Sequence, residues 1–343
     1  MGNKLKVLIL AGGDSEERPI SLASAKAITE SLQRLGYNTA VIDSATGLSL
    51  LDSQGHYLLQ EDDNSTSKIA MKQSGGMALT ESLNSDNYKD SDLVFLALHG
   101  GTGEDGTLQA LLDLAGLKYT GSGRLASAAA MNKAFAKRIL KNEGIPTPDW
   151  MVVNLKNPEE IEIHLNNINE KFDYPLIVKP NNSGSTIGLT LVKKHDQLIP
   201  AMESSFKVSR EILIEQYIKG REITGAVLNG KPLPLVEIIP TNELYDYQCK
   251  YIKGKSRYVC PAEIDNNITR QIQRLSGQAY EILNCSGLAR VDFILDKNNQ
   301  PYFLEVNTLP GMTELSLAPM AAKESGLSFD DLIESICRAA LNK

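Results

Sequence analysis

The stretch "LARVDFILDKNNQPYFLEVN", residues 288–307, leaves its part of the chain little conformational choice. Val291, Phe293 and Leu295 alternate with Arg290, Asp292 and Ile294. Beyond a polar turn at 296–300, Leu304 and Val306 alternate with Glu305 and Asn307. Period-two alternation on both sides of a turn predicts an antiparallel hairpin with residue 292 nearly opposite residue 305. One face needs a core. The other gathers Arg290, Asp292, Glu305 and Asn307. Two opposed carboxylates repel unless a cation joins them. Asp, Glu and Asn supply the hard oxygens that Mg²⁺ takes when it also holds nucleotide phosphates. The alternative is a solvated face with scattered charges; Arg290 on the same face favours anion chemistry.

A second stretch, "ALHGGTGEDGTLQ", pulls elsewhere. Gly101, Gly103 and Gly106 stand at GxGxxG spacing after an apolar run, which taken alone is a dinucleotide-binding fingerprint. That fingerprint normally follows the first strand, with an acid about 20 residues further on. Here it follows a later strand, the region near residue 126 has no acid, and Glu104 and Asp105 would meet a pyrophosphate with like charge. Nicotinamide-cofactor binding is therefore disfavoured, and no Walker A pattern is present.

The 343 residues exceed one ordinary core, so two or three packed units are expected. Residues 7–43 read as strand, helix (21–35) and strand; 92–98 and 106–115 add a strand and a helix, giving a parallel α/β unit. Residues 44–90 form a polar excursion. A helical region closed by Gly144 follows, then a small α+β region with strands near 150–153, 176–179 and 189–192. A polar loop at 242–263, a helix at 265–283, the hairpin and a helix at 328–341 complete the chain. The formal charge of −7 argues against nucleic acid or an anionic membrane as partner. No apolar run approaches the ~18 residues of a membrane span. The four cysteines form no CxxC pair and read as free thiols of a reducing compartment, so a cytoplasmic location is expected.

Three further signals are each ambiguous alone. In "VKPNNSGSTIG" a strand ends at Lys179 before a loop of small residues and hydroxyls, which suits phosphate oxygens or is an ordinary flexible loop. Lys133 in "AMNKAFAK" is a phosphate ligand or a surface helix lysine, and Glu215 in "ILIEQYIKGRE" is a cleft residue or a plain edge residue. His99 is a substrate-site residue or a satisfied structural histidine.

Taken in order, these parts resemble the ATP-grasp fold and, within it, the D-alanine–D-alanine ligases, over nearly the whole chain. The motifs are "GGDSEERPISL", "LALHGGTGEDGTLQ", "YTGSG", "VKPNNSGSTIG", "YDYQCKY", "RVDF" and "LEVNTLPGMTELSL". The resemblance implies an α/β, three-domain ATP-grasp fold with an N-terminal Rossmann-like domain (1–121), a central subdomain (122–214) and a C-terminal subdomain (215–343). It implies that Lys133 and Lys179 contact ATP phosphates, that Ser185 and Thr186 cover them, and that Glu215 lies at the adenine end and Glu222 at the ribose. Asp292, Glu305 and Asn307 would hold two Mg²⁺ ions, or Mn²⁺. Glu17 would hold the ammonium of the first D-alanine, with His99 nearby. Arg290 and the Gly311 N–H would form an oxyanion hole, and Ser316 and Leu317 would receive the second carboxylate. Tyr251, with Lys250, would lie on a closing loop. The glycine loop 100–106 would wall the amino-acid subsite, with the following helix N-terminus favouring its carboxylate. The implied activity is ATP-dependent joining of two D-alanines through an acyl phosphate, for peptidoglycan precursor synthesis, by a homodimer. The alternative is another amino-acid ligase of the same fold, making D-Ala–D-Ser, D-Ala–D-lactate or a different dipeptide. The hinge reads Glu215–Gln216 where many relatives have Glu-Lys.

Overall fold

The computed structural model describes residues 5–58, 86–184, 186–241 and 254–343. The opening run "KVLILA" does not alternate, and the reason is burial on both sides. Strand β1 (Lys6–Ala11) lies between β2 (Asn38–Asp43) and β3 (Leu93–Leu96) in a parallel sheet, and Val7, Leu8, Ile9 and Leu10 are all fully buried. The helix Arg18–Arg34 starts earlier than the apolar pattern suggested, because Pro19 is tolerated in a first turn.

A four-stranded sheet follows, in the order β4 (Trp150–Asn154), β7 (Glu211–Gln216), β5 (Leu176–Pro180), β6 (Thr190–Val192). Its interior strand β7 runs on to Gln216, so Glu215 is held within this sheet, between Trp150 and Ile177. The third sheet runs β11 (Ser256–Val259), β10 (Val236–Pro240), β8 (Gly220–Leu228), β12 (Leu288–Asp296), β13 (Pro301–Asn307), with β9 (Lys231–Pro232) paired to β8. The polar stretch 242–263 is thus not all loop. Ser256–Val259 adds to the free edge of β10, where a polar strand is tolerated.

The region before Gly144 is two helices, Arg124–Met131 and Lys133–Asn142, broken at Asn132. The Asn132 side chain accepts the Phe135 N–H at 3.0 Å, capping the second helix. Lys133 therefore stands at a helix N-terminus rather than mid-helix.

The hairpin forms as its alternation required, with Arg290 opposite Asn307 and Asp292 opposite Glu305. One feature differs. A bulge after Asp292 pairs Phe293 with Phe303, leaving Leu304 as the extra residue. The phase of β13 flips there. Phe303 enters the core against Phe293, edge to face at 6.3 Å, while Leu304, expected on the core face, turns to the cleft. The core beneath is closed by the helix Asn266–Ile282, through Ile272, Leu275 and Ala279.

Candidate active site

Two clefts flank the hairpin. The first lies between the four-stranded sheet and the β8–β12–β13 sheet, lined by Lys179, Thr186, Glu215, Glu222, Asp292 and Leu304 among others. The second lies towards the N-terminal sheet and takes in Glu17, His99, Arg290, Asn307, Gly311, Ser316 and Leu317. Lys133, Ser183, Gly184 and Glu305 border both, so the two spaces meet at that wall. Ser185, Lys250 and Tyr251 lie outside the described residues.

The first cleft carries two buried lysines, Lys133 and Lys179, each paired with a carboxylate. Lys133 Nζ donates to the Ser183 carbonyl at 2.6 Å and lies 3.2 Å from Glu305. Its helix start is tied to the end of β5 by Asn181, whose carbonyl accepts the Lys133 N–H and whose side-chain oxygen accepts that of Ala134. Lys179, at the end of β5, lies 2.5 Å from one Glu215 oxygen, and Lys137 lies 2.9 Å from the other. All three are buried. Burial alone would raise the Glu215 pKa, but Lys137 and Lys179 outweigh it and hold the carboxyl below its ordinary value. Burial pulls the Lys137 ammonium down to about 8 despite Glu215, while Lys179 is raised because Glu215 and Glu305 outweigh its burial. Lys137 was passed over in the sequence; its i,i+4 spacing from Lys133 was the available signal.

The carboxylates of the hairpin are engaged by cations and donors already. Asp292 accepts from Arg290 at 2.9 Å and from the Thr224 hydroxyl at 2.6 Å. The Asn307 side-chain oxygen accepts the Leu309 N–H at 3.0 Å. Among the described residues no third His, Cys, Asp or Glu joins Asp292 and Glu305 in a metal cluster. The donor set is therefore two opposed carboxylates and one amide oxygen. These are hard oxygens, too few to enclose a cation, and they suit Mg²⁺ that completes its shell with phosphate oxygens and water.

In the second cleft, Glu17 occupies the N-cap of the first helix, yet its side chain caps no helix N–H. It turns towards two glycines instead. A Cβ added to Gly100 or Gly184 would come within 2.7 or 2.6 Å of Glu17 Oε2, so a side chain at either position would displace the Glu17 carboxylate, and Gly100 at φ +66° also needs glycine for its backbone. The loop carrying Glu17 is fixed by Arg18, which forks onto Asp43 at 2.8 and 2.6 Å and donates to the Gly13 carbonyl at 3.1 Å. Ser15 ties it to the His99 carbonyl.

His99 is a satisfied histidine that lines the cleft wall. Its Nδ1 lies 2.8 Å from the Leu309 carbonyl and its Nε2 3.1 Å from Ser24 Oγ, which also accepts the Met312 N–H at 3.2 Å. Burial lowers its pKa. A neutral ring donating from Nδ1 and accepting at Nε2 satisfies every group, and it pins the 309–312 turn that presents Gly311. Glu104 braces the same turn, accepting the Gly100 N–H at 3.0 Å and the Leu309 N–H at 3.4 Å; burial and the Glu17 charge push its pKa up to about 7.

The expected helix N-terminus is not at this cleft. A one-turn helix, Gly101–Glu104, redirects the chain, and the helix Thr107–Leu114 begins at Gly106 against the Arg124 carbonyl and Ala128. The wall is formed by His99 and Glu104 instead. At the far end, Ser316 Oγ is shared with Thr313, at 3.1 Å from its N–H and 2.8 Å from its hydroxyl, where the helix Leu317–Glu324 starts.

A cleft with two buried lysines, a carboxylate-bearing hairpin along its floor and a second cleft joined to it through a shared wall is the arrangement of the ATP-grasp class of carboxylate–amine ligases. The chain belongs to the D-alanine–D-alanine ligase family: residues 6–122 match its N-terminal domain and residues 139–338 its C-terminal domain. It is 40% identical to a D-alanine–D-alanine ligase of Desulforamulus reducens, covering 99% of both chains, and 40% identical to that of Nitrosomonas europaea, covering 96% and 95%. Among solved structures it is similar to the Bacillus anthracis D-alanine–D-alanine ligase complexed with ATP, at 32% identity and a TM-score of 0.76, covering 99% of this chain and 98% of that one. It is also similar to the VanG D-Ala:D-Ser ligase of Enterococcus faecalis, at 29% identity and a TM-score of 0.78, covering 98% and 100%.

Proposed function

We propose that the protein joins two D-alanines into D-alanyl-D-alanine, with ATP cleaved to ADP and phosphate, in supply of peptidoglycan precursors. The observation that carries this reading is the shared wall. Lys133, Ser183, Gly184 and Glu305 face both the nucleotide cleft and the amino-acid cleft, so a phosphoryl group could pass from one ligand to the other without entering water.

A carboxylate is a poor electrophile and must be activated. The first D-alanine's carboxylate oxygen bonds to the γ-phosphorus, ADP leaves, and an acyl phosphate results. Lys133 and Lys179 offset the charge on the oxygens being transferred. Asp292, Glu305 and Asn307 would hold two Mg²⁺ ions, or Mn²⁺, which when bound neutralise phosphate charge and align the phosphoryl group. Glu215 and Glu222 border the nucleotide end, and Thr186, with Ser185, belongs to the loop over the phosphates. Glu17 anchors the first ammonium. The second amine then attacks the acyl carbon and phosphate departs. Arg290 and the Gly311 N–H stabilise the oxyanion, with the Gly311 turn held by His99 and Ser24. Ser316 and Leu317, at a helix start, receive the second carboxylate. Tyr251 and Lys250 would close the site.

We read the protein as a cytoplasmic homodimer; among the described residues no helix is long and apolar enough to cross a membrane. A D-Ala–D-Ser ligase is the second reading, favoured by the overlay on the D-Ala:D-Ser ligase. Both are tested by ADP release from purified protein with ATP, Mg²⁺ and D-alanine, alone or with D-serine or D-lactate, with L-alanine as control and the product identified by mass. D-Ala-D-Ala from D-alanine alone supports the first reading. Turnover that needs D-serine or D-lactate overturns it and keeps the class.

A further inference from the structure

Lys137 lines neither cleft. It is fully buried behind Glu215, and its ammonium is placed by three contacts on the far side from the nucleotide space. It lies 2.9 Å from Glu215 Oε2 and donates to Thr147 Oγ1 at 2.6 Å; the Thr147 hydroxyl in turn donates to the Phe303 carbonyl of β13 at 2.8 Å. The Trp150 ring lies 5.6 Å away. This lysine is therefore tied to the strand that carries Glu305, and it meets the opposite oxygen of the carboxylate that Lys179 grips from the cleft side.

The arrangement poses a competition. Lys179 is expected to turn its protons to phosphate oxygens, but here they face Glu215. With Lys179 as its sole partner, Glu215 would be left as an unpaired buried carboxylate whenever Lys179 turned away, and a buried charge without a partner is strongly disfavoured. With Lys137 on the other oxygen, Glu215 stays neutralised whichever way Lys179 points. We propose that Lys137 is a positioning residue for the nucleotide: by holding Glu215 from behind it releases Lys179 to bind an anionic phosphate group.

This inference rests on the ligase reading, and the test separates the two. Binding of ATP and of a non-hydrolysable ATP analogue is titrated for wild type, Lys137→Met, Glu215→Gln and the double variant, and steady-state KM is measured for ATP and for D-alanine. Lys137→Met is expected to weaken nucleotide binding and raise KM for ATP about tenfold, the scale of one coupled contact, with KM for D-alanine unmoved. Glu215→Gln removes the carboxylate that traps Lys179, so whatever that change costs by itself at the nucleotide end, Lys137→Met added to it should cost no further nucleotide affinity. If Lys137→Met does not fold, the double variant against Glu215→Gln alone decides, since without the carboxylate the Lys137 change should have no further effect on nucleotide affinity. Unchanged KM for ATP in folded Lys137→Met, or a further loss when Lys137→Met is added to Glu215→Gln, overturns the proposal and leaves a structural lysine. A wild type that binds no nucleotide overturns the ligase reading together with it.

Discussion

Replacing Glu104 by Gln should change how stability depends on pH, and the structure sets the size. The Glu104 carboxyl is buried, and burial with the nearby Glu17 charge pushes its pKa up to about 7 from an ordinary 4.5. The folded state therefore holds this proton more tightly than the unfolded chain. Its contribution is fully present below pH 4.5 and is lost as pH rises through about 7. A gap of two to three pKa units corresponds to about 3 kcal/mol at roughly 1.4 kcal/mol per unit. Glutamine keeps an oxygen for the Gly100 N–H or the Leu309 N–H but does not ionise. Relative to wild type, the variant should thus gain stability as pH rises from 5 to 8, by about 2–3 kcal/mol across the window. Urea unfolding of both proteins at half-unit pH intervals measures this difference. A difference that is flat over that range would show that Glu104 is ionised in the folded state at all these pH values, and the burial argument would be wrong.

Arg290→Ala should lower kcat by about 10²-fold or more, as for loss of an oxyanion donor; steady-state kinetics showing only a raised KM would remove that role. Glu17→Gln should mainly raise KM for the first D-alanine. Gly184→Ala should act on the same subsite, since the new Cβ would come within 2.6 Å of Glu17 Oε2; a KM for D-alanine that stays put in both variants sinks the anchor. Asp292→Asn should raise the Mg²⁺ concentration needed for half-maximal rate by about tenfold, the scale of one lost charge-assisted contact. An unaltered Mg²⁺ titration would place the cation elsewhere.

How much of this was legible in residues alone depends on whether the cause was local. Alternation along 288–307 was enough to gather Arg290, Asp292, Glu305 and Asn307 on one face near one another, because side chains on a strand must alternate; counted from the turn, where Leu295 meets Pro301, residue 292 would face 304, and the bulge is what moves it opposite Glu305. The apolar run at 7–11 was enough to mark a first strand, while its burial on both faces between β2 and β3 came from the structure. Lys179 is legible as a lysine before a small-residue loop and Arg290 as a charge on the hairpin's carboxylate face, whereas Lys133 is ambiguous by itself and Glu17 takes its role from the family resemblance. Only the tertiary structure decided the rest. The bulge that sends Leu304 to the cleft depends on which pairs of the ladder meet, and no pattern within one strand records that. The helix break at Asn132 became visible once its side chain was seen to cap Lys133's helix. Lys137, Thr147 and Phe303 are far apart in sequence from Glu215, and their meeting rests on two sheets packing across the 133–142 helix. The Glu104 pKa likewise comes from burial under the Leu309 turn. Local periodicity dictates which face a residue takes, whereas desolvation and charge pairing are set by neighbours that only the folded chain brings close.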